Sequence, residues 1–199
     1  MNDPQNDELA ALVFKNRGTL LALPAALLAA FGKPSAASVA LGLPIAIAGE
    51  LVRCWAVGYS GVTTRGEHVE APALVTAGPY AYVRNPLYVG NFVTALGFSI
   101  AFTGKNSVAA KLGLVGGSLA AMAAVYGVIV PHEEQFLRSE FGEAFDRYCQ
   151  AVPPFVPLSE PAGDQHGTWS PNVIRDAESK TFLTFGAMLS VLVLKAFRA

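Results

Sequence analysis

Residues 112–130 read LGLVGGSLAAMAAVYGVIV, nineteen positions without one charged side chain. A helix of that length rises ~28 Å at about 1.5 Å per residue, which matches roughly 30 Å of bilayer hydrocarbon. The segment has no polar face to turn to water, and Gly113 and Gly117 are spaced for the close approach of a second helix. The composition of the whole chain agrees. Of its 199 residues 52% are hydrophobic and 15% charged, against about 25% charged in ordinary soluble domains, and its mean hydropathy is +0.40. A formal net charge of -1 excludes a broad electrostatic footprint for nucleic acid. Cys54 and Cys149 lie far apart without CxxC or CxxH spacing, so they read as packing residues, with no disulfide framework and no metal site.

Working outward, four more segments are apolar enough to cross or enter a bilayer. Residues 36–59 are long enough but carry Pro44 midway and the charged pair Glu50 and Arg53 near their end. Residues 87–103 follow Pro86, which suits the first turn of a helix. Residues 18–31 are short and must thin the bilayer, extend past Arg17 or lie partly in the interface. A cleaved signal peptide is disfavoured there, because Asp3, Asp7 and Glu8 occupy what would be its basic n-region. Residues 181–197 could span, re-enter or lie flat. The fold expected is an all-α, polytopic transmembrane helical bundle of about five spans with a cytoplasmic amphipathic helix. Its expected organisation is an N-terminal tail and first apolar helix (1–35), a core (36–157), and a linker with a C-terminal apolar helix (158–199).

Lys and Arg placement orients the chain. With the N-terminus inside, the inner loops receive Lys15, Arg17, Arg65, Arg84, Arg138, Arg147, Arg175 and Lys180, and the outer ones Lys33, Lys105, Lys111, Lys195 and Arg198. The outer connections near residues 32–35 and 104–111 are short turns and the inner ones are long, so function is expected at the cytoplasmic face of an integral membrane protein, a bacterial inner membrane being the expected location.

Two inner stretches carry the chemistry. The first, GPYAYVRNPLYVGN at residues 78–91, sets Tyr80, Tyr82, Tyr88, Arg84 and Asn85 among Pro and Gly at the mouth of a span. An interfacial aromatic belt accounts for the tyrosines but not for Arg84, Asn85 and Pro86 in a row. The second, HEEQFLRSEFGEAFDRYCQAVPPFVP at residues 132–157, follows Pro131, which is expected to open a helix whose acidic first turn complements the helix dipole. At about 100° per residue Leu137, Phe141, Ala144, Phe145 and Tyr148 form one apolar stripe, and Glu133 and Glu134 lean toward it. His68 and His166 fall in polar connections and read as solvent-exposed.

Together these stretches resemble the isoprenylcysteine carboxyl methyltransferase and phospholipid N-methyltransferase superfamily of integral-membrane methyltransferases, and GELVRCWAVG at residues 49–58 resembles that family's preceding helix end. The likeness covers residues 49–157 and implies S-adenosylmethionine as cofactor, bound without a Rossmann sheet at the cytoplasmic helix ends, near residues 80–88 and the Glu133, Glu134 pair. Three features depart from the family. Asn85 stands where many relatives have His, Ala151 where the eukaryotic carboxyl methyltransferases have Arg, and residues 158–199 lie beyond the match.

The cofactor's groups each find a candidate partner. Arg84 can hold its carboxylate, Glu133 or Glu134 its ammonium or ribose hydroxyls, Asn85 the adenine edge, and Tyr80, Tyr82 or Tyr88 a ring face for the sulfonium. His132, Glu133 and Glu134 are candidates to take a proton from an amine, thiol or phenol acceptor, with His132 and Glu134 put forward as catalytic; a carboxylate acceptor needs no base. Glu50 and Arg53, one turn apart near a span end, form a structural ion pair or an inward anchor for the acceptor. The acceptor expected is a lipidic or hydrophobic small molecule reaching the site from the bilayer, with no nucleic-acid partner. Competing readings are a membrane sterol-type reductase using NADPH and a non-catalytic assembly or transport subunit.

Overall fold

A computed structural model describes residues 4–61 and 71–198, and the side chains of 8–61 and 71–197. Arg65 and His68 lie outside the described residues. The described chain forms α1 (Pro4–Phe31), α2 (Ala36–Ser60), a 3-10 turn (Gly78–Ala81), α3 (Pro86–Phe102), α4 (Val108–Phe141), α5 (Glu143–Ala151) and α6 (Asn172–Arg198), with no strand among the described residues. α1 from Glu8, α2, α4 and α6 are long and apolar enough to cross a membrane. α3 is the fifth apolar helix; its 17 residues rise ~25 Å and leave its ends close to the interface. The architecture is that of an all-helical membrane protein.

Helix lengths answer two questions the sequence left open. α1 does not stop at Gly18 but runs past Arg17 to the N-terminal side, so the short apolar segment is part of a helix of ample length. α6 is a continuous helix of 27 residues, again long enough to span. The reading of Pro131 is corrected. Pro131 does not open a helix: it lies inside α4, which continues to Phe141. A proline costs an apolar helix only one backbone hydrogen bond, and such breaks are tolerated in membrane helices. The break falls instead at Gly142, whose φ of 51° places it in the left-handed region that glycine enters without strain. The expected single amphipathic helix is therefore two. Leu137 and Phe141 on α4 still pack with Phe145, Tyr148 and Val152 in and after α5, joined by Leu74, Cys149 and Ala162.

The chain divides into two compact units. One comprises 17–51, 90–125 and 180–199. Its core is Leu28, Ala46, Phe98, Ala101, Phe102, Met188 and Leu192. Small residues carry its closest helix contact: a Cβ on Gly42 would strike the backbone of Gly97 and Ala101, one on Gly97 the backbone of Ala46, and one on Gly49 that of Thr94 and Gly90. The expected close approach through Gly113 and Gly117 is not found, since a Cβ at either meets nothing within 4 Å. Small residues permit close packing, but a partner helix must present an equally small face, and α2 and α3 do so for each other. At the other end of this unit Ser35 and Ser38 cap α2 reciprocally, each hydroxyl accepting the other's backbone N–H at 2.9 and 3.1 Å. Lys195 Nζ on α6 donates to the carbonyls of Ala30 and Gly32 at 3.0 Å, closing the C-terminal end of α1.

The second unit comprises 1–16, 52–89 and 126–179 and holds every site residue named above except Glu50. Its connecting segments are stitched by backbone bonds. Arg84 N donates to Pro153 O at 2.8 Å, Leu158 N to Tyr82 O at 3.0 Å, Ala162 N to Ala81 O at 2.9 Å, and Thr76 N to His166 O at 2.9 Å. Backbone groups of these connections are thus paired with one another, and residues 152–166 are held along residues 76–85.

The α2–α3 seam yields a first expectation. Gly42→Val puts a branched side chain against backbone that cannot rotate away and should destabilise the protein by roughly 1–3 kcal/mol, while Gly117→Ala should be neutral or slightly stabilising. Thermal unfolding of both variants in one detergent checks this; equal midpoints would contradict the seam.

Candidate functional site

The turn at residues 78–85 is shaped by its prolines and glycine. Gly78, with φ of 62°, sits under the Tyr59 ring, and Pro79 opens the 3-10 turn that aims Tyr80 inward. Pro86 then starts α3, where its missing N–H costs nothing. Tyr88 follows within the first turn of α3, and its hydroxyl donates to Glu133 Oε1 at 2.7 Å. The Tyr88 ring packs on the buried Tyr126 ring with centroids 4.4 Å apart.

Glu133 and Glu134 sit consecutively on α4 beyond Pro131, and both are half-buried as their helical phase implied. Glu134 meets Arg84: Nε and Nη2 of the guanidinium reach Oε1 at 3.0 and 2.9 Å. Arg84 Nη1 continues to the carbonyls of Val152 at 2.6 Å and Cys149 at 3.2 Å, which cap the end of α5. The residue expected to grip a ligand carboxylate is therefore held by the chain's own acceptors. Asn85 likewise gives both its backbone N–H and its side-chain amide to Pro154 O, at 3.2 and 3.1 Å.

Arg53, expected to pair with Glu50 or to anchor an acceptor, meets Glu178 of α6. Its Nη2 donates to both carboxylate oxygens at 2.9 Å, with the Glu178 side chain 0% exposed. Glu178 is the residue that sequence reasoning missed. Its signal was a carboxylate at the threshold of the last apolar run, but its partner lies 125 positions away. Tyr148 was also read only as part of a stripe, yet its hydroxyl donates to Tyr80 O at 2.8 Å.

Electrostatics ties these groups together. Burial pushes the Tyr80 phenol up to about 12, opposed by a hydrogen bond with Ser60; the Glu133 charge adds to the rise and the Arg53 charge subtracts. Tyr80 thus feels the charges of Glu133 and Arg53 and is a neutral hydroxyl at pH 7. Burial likewise raises Tyr148 and the Cys149 thiol, which fits Cys149 as a packing residue. His132 is half-buried with its ring 6.4 Å from that of Phe14, and His166 is exposed. No group of three or more His, Cys, Asp or Glu among the described residues is arranged to hold a metal ion.

The arrangement offers carboxylates and electron-rich rings side by side: Glu133, Glu134, Tyr88, Tyr126 and Tyr80. Such a set can hold a cation that also carries hydroxyl donors.

Comparison with known proteins bears on what that cation is. The cobalt-zinc-cadmium resistance protein CzcN of Cupriavidus metallidurans is 40% identical over 50% of this chain and 42% of its own length. The protein-S-isoprenylcysteine O-methyltransferase of Schizosaccharomyces pombe is 38% identical over 43% of this chain and 33% of its own. A probable protein-S-isoprenylcysteine O-methyltransferase of Oryza sativa is 30% identical over 60% of this chain and 61% of its own. The chain thus spans about two fifths of CzcN. No solved structure matches it. The sequence profile of the phospholipid methyltransferase family matches residues 37–144, which include α2, α3, α4 and the whole Arg84, Tyr88, Glu133, Glu134 cluster, so the chain belongs to the phospholipid methyltransferase family.

Proposed function

We propose that this chain is an S-adenosylmethionine-dependent methyltransferase of a cytoplasm-facing membrane site, acting on a hydrophobic acceptor that partitions into the bilayer. The supporting observation is the convergence of Tyr88 with Glu133 and of Arg84 with Glu134, inside the segment matched by the family profile. The donor set fits the cofactor: Glu133 and Glu134 suit its ammonium and ribose hydroxyls, and the Tyr88 and Tyr126 rings suit its positive sulfur. When bound, the cofactor supplies a methyl group on an electrophilic sulfonium, and displacement leaves that sulfur as a neutral thioether.

The chain's own task is then positioning, exclusion of water and disposal of a proton. Alignment of two bound reactants is worth up to about 7–11 kcal/mol in favourable cases. The segment at residues 152–166, bonded along the tyrosine turn, covers that stretch from one side. An amine, thiol or phenol acceptor releases a proton, and in this reading Glu134 takes it, a role supported by Arg84 engaging its Oε1 and not its Oε2. Arg84 orients Glu134 and ties it to the end of α5, and the Tyr88 hydroxyl orients Glu133.

Two expectations follow from this reading. Purified protein should bind S-adenosylhomocysteine, and Glu133→Gln combined with Glu134→Gln should abolish binding with the fold retained; unchanged affinity in isothermal titration would exclude the pocket. Tyr88→Phe removes one hydrogen bond to a charged acceptor, worth about 1.5–3 kcal/mol at most, and should weaken the same binding about tenfold with an unaltered circular-dichroism spectrum.

A further inference from the structure

The short α3 sets a depth. Its 17 residues carry no charged side chain and rise ~25 Å, less than roughly 30 Å of hydrocarbon, so its first turn at Pro86 belongs at the hydrocarbon edge. Residues 153–158, PPFVPL, are pinned to the two residues just before that turn. Arg84 N donates to Pro153 O at 2.8 Å, and Asn85 gives both its backbone N–H and its side-chain amide to Pro154 O, at 3.2 and 3.1 Å. The loop therefore shares the depth of the start of α3. A further bond, from Leu158 N to Tyr82 O at 3.0 Å, sets the loop's far end beside Tyr82, whose ring stands 6.3 Å from that of the exposed Trp55 near the end of α2. Trp and Tyr at a span end are the residues that a bilayer interface enriches.

The chemistry of the loop suits lipid rather than water. Residues 148–159 contain no charged side chain. Phe155, Val156 and Leu158 are exposed, Val156 to 76%, in a segment that its bonds to residues 82–85 hold in place. Irregular backbone is costly in an apolar medium because its N–H and C=O groups go unmet. Here Pro153, Pro154 and Pro157 carry no N–H and Leu158 has given its own to Tyr82, so four of the six backbone nitrogens offer no free donor. The Pro153 and Pro154 carbonyls are met in turn by Arg84 and Asn85.

We propose that residues 153–158 insert into the boundary between headgroups and acyl chains, with Phe155, Val156 and Leu158 against lipid, continuing the aromatic belt that Trp55 and Tyr82 begin. The partner of this surface is the bilayer itself, and the contact seats the Arg84 turn at the membrane surface. It stands on the helical membrane fold and does not depend on the methyl-transfer reading.

The test places a nitroxide label at Val156→Cys or, as an aqueous reference, at Gln165→Cys in the exposed polar stretch that follows. Each is made in the full chain with Cys54→Ala and Cys149→Ala, in phosphatidylcholine nanodiscs. Electron paramagnetic resonance then reads collisions with oxygen, which concentrates in lipid, and with a neutral nickel chelate, which stays in water. The ratio of oxygen to nickel accessibility should be severalfold higher at 156 than at 165. Equal ratios would put the loop in water and overturn the insertion; shielding of the 156 label from both reagents would mean that protein, a second copy or another partner, covers it, and would overturn it too. A second measurement keeps both cysteines. The emission that Val156→Trp adds to that of the unaltered protein should be strongly quenched in nanodiscs of lipid brominated on its acyl chains, and unquenched emission would again refute the contact.

Discussion

Arg84 is where the site unit is tied together. A guanidinium cannot lose its charge in a protein, and taking it out of water is costly unless its N–H groups are met. Here they are met by Glu134 of α4 and by the carbonyls of Cys149 and Val152 at the end of α5. One side chain thereby joins the turn before α3, the end of α4 and the end of α5. The two side chains are 13% and 22% exposed, so breaking this part-buried pair costs less than the about 3–5 kcal/mol of a fully buried one. The Pro153 and Pro154 carbonyls continue the join through the backbone N–H groups of Arg84 and Asn85.

The same arithmetic governs the second pair. Arg53 and Glu178 come from α2 and α6, two helices long and apolar enough to cross a membrane, and charge is tolerated on such elements where it is paired or where it serves a site. The ion pair gives α6 a reason to sit where it does in this unit, beyond the packing of its apolar face. Trp169 adds to the placement by packing against Gly58, and Ser170 N donates to Gly58 O at 2.8 Å just before α6 begins.

In the other unit the constraint is steric rather than electrostatic. Lipid tails are as apolar as leucine, so helices gain little by hiding leucine from lipid and must gain by fitting closely. Gly42, Ala46 and Gly49 facing Gly97 and Ala101 provide that fit, and Thr94 and Ser38 hydroxyls reach across to the Ala46 and Ala101 carbonyls.

Sequence alone determined the fold class, the apolar helices and the two motif stretches, because length, hydropathy and proline placement are local properties. It also placed Glu133 and Glu134 on the half-buried side of α4, since helical phase needs only a 3.6-residue period. The tertiary structure decided what those motifs hold. Arg84 pairs with a residue 50 positions away and Arg53 with one 125 away, and no periodicity encodes such distances. Nor does a GxxxG spacing say which helix will face it, which is why the close contact fell to Gly42 and Gly97 and not to Gly113 and Gly117. Pro131 read as a helix start because its local preference favours one; packing of Leu137 and Phe141 with Phe145 and Tyr148 outweighed that preference and carried α4 on to Gly142, where a left-handed residue made the turn.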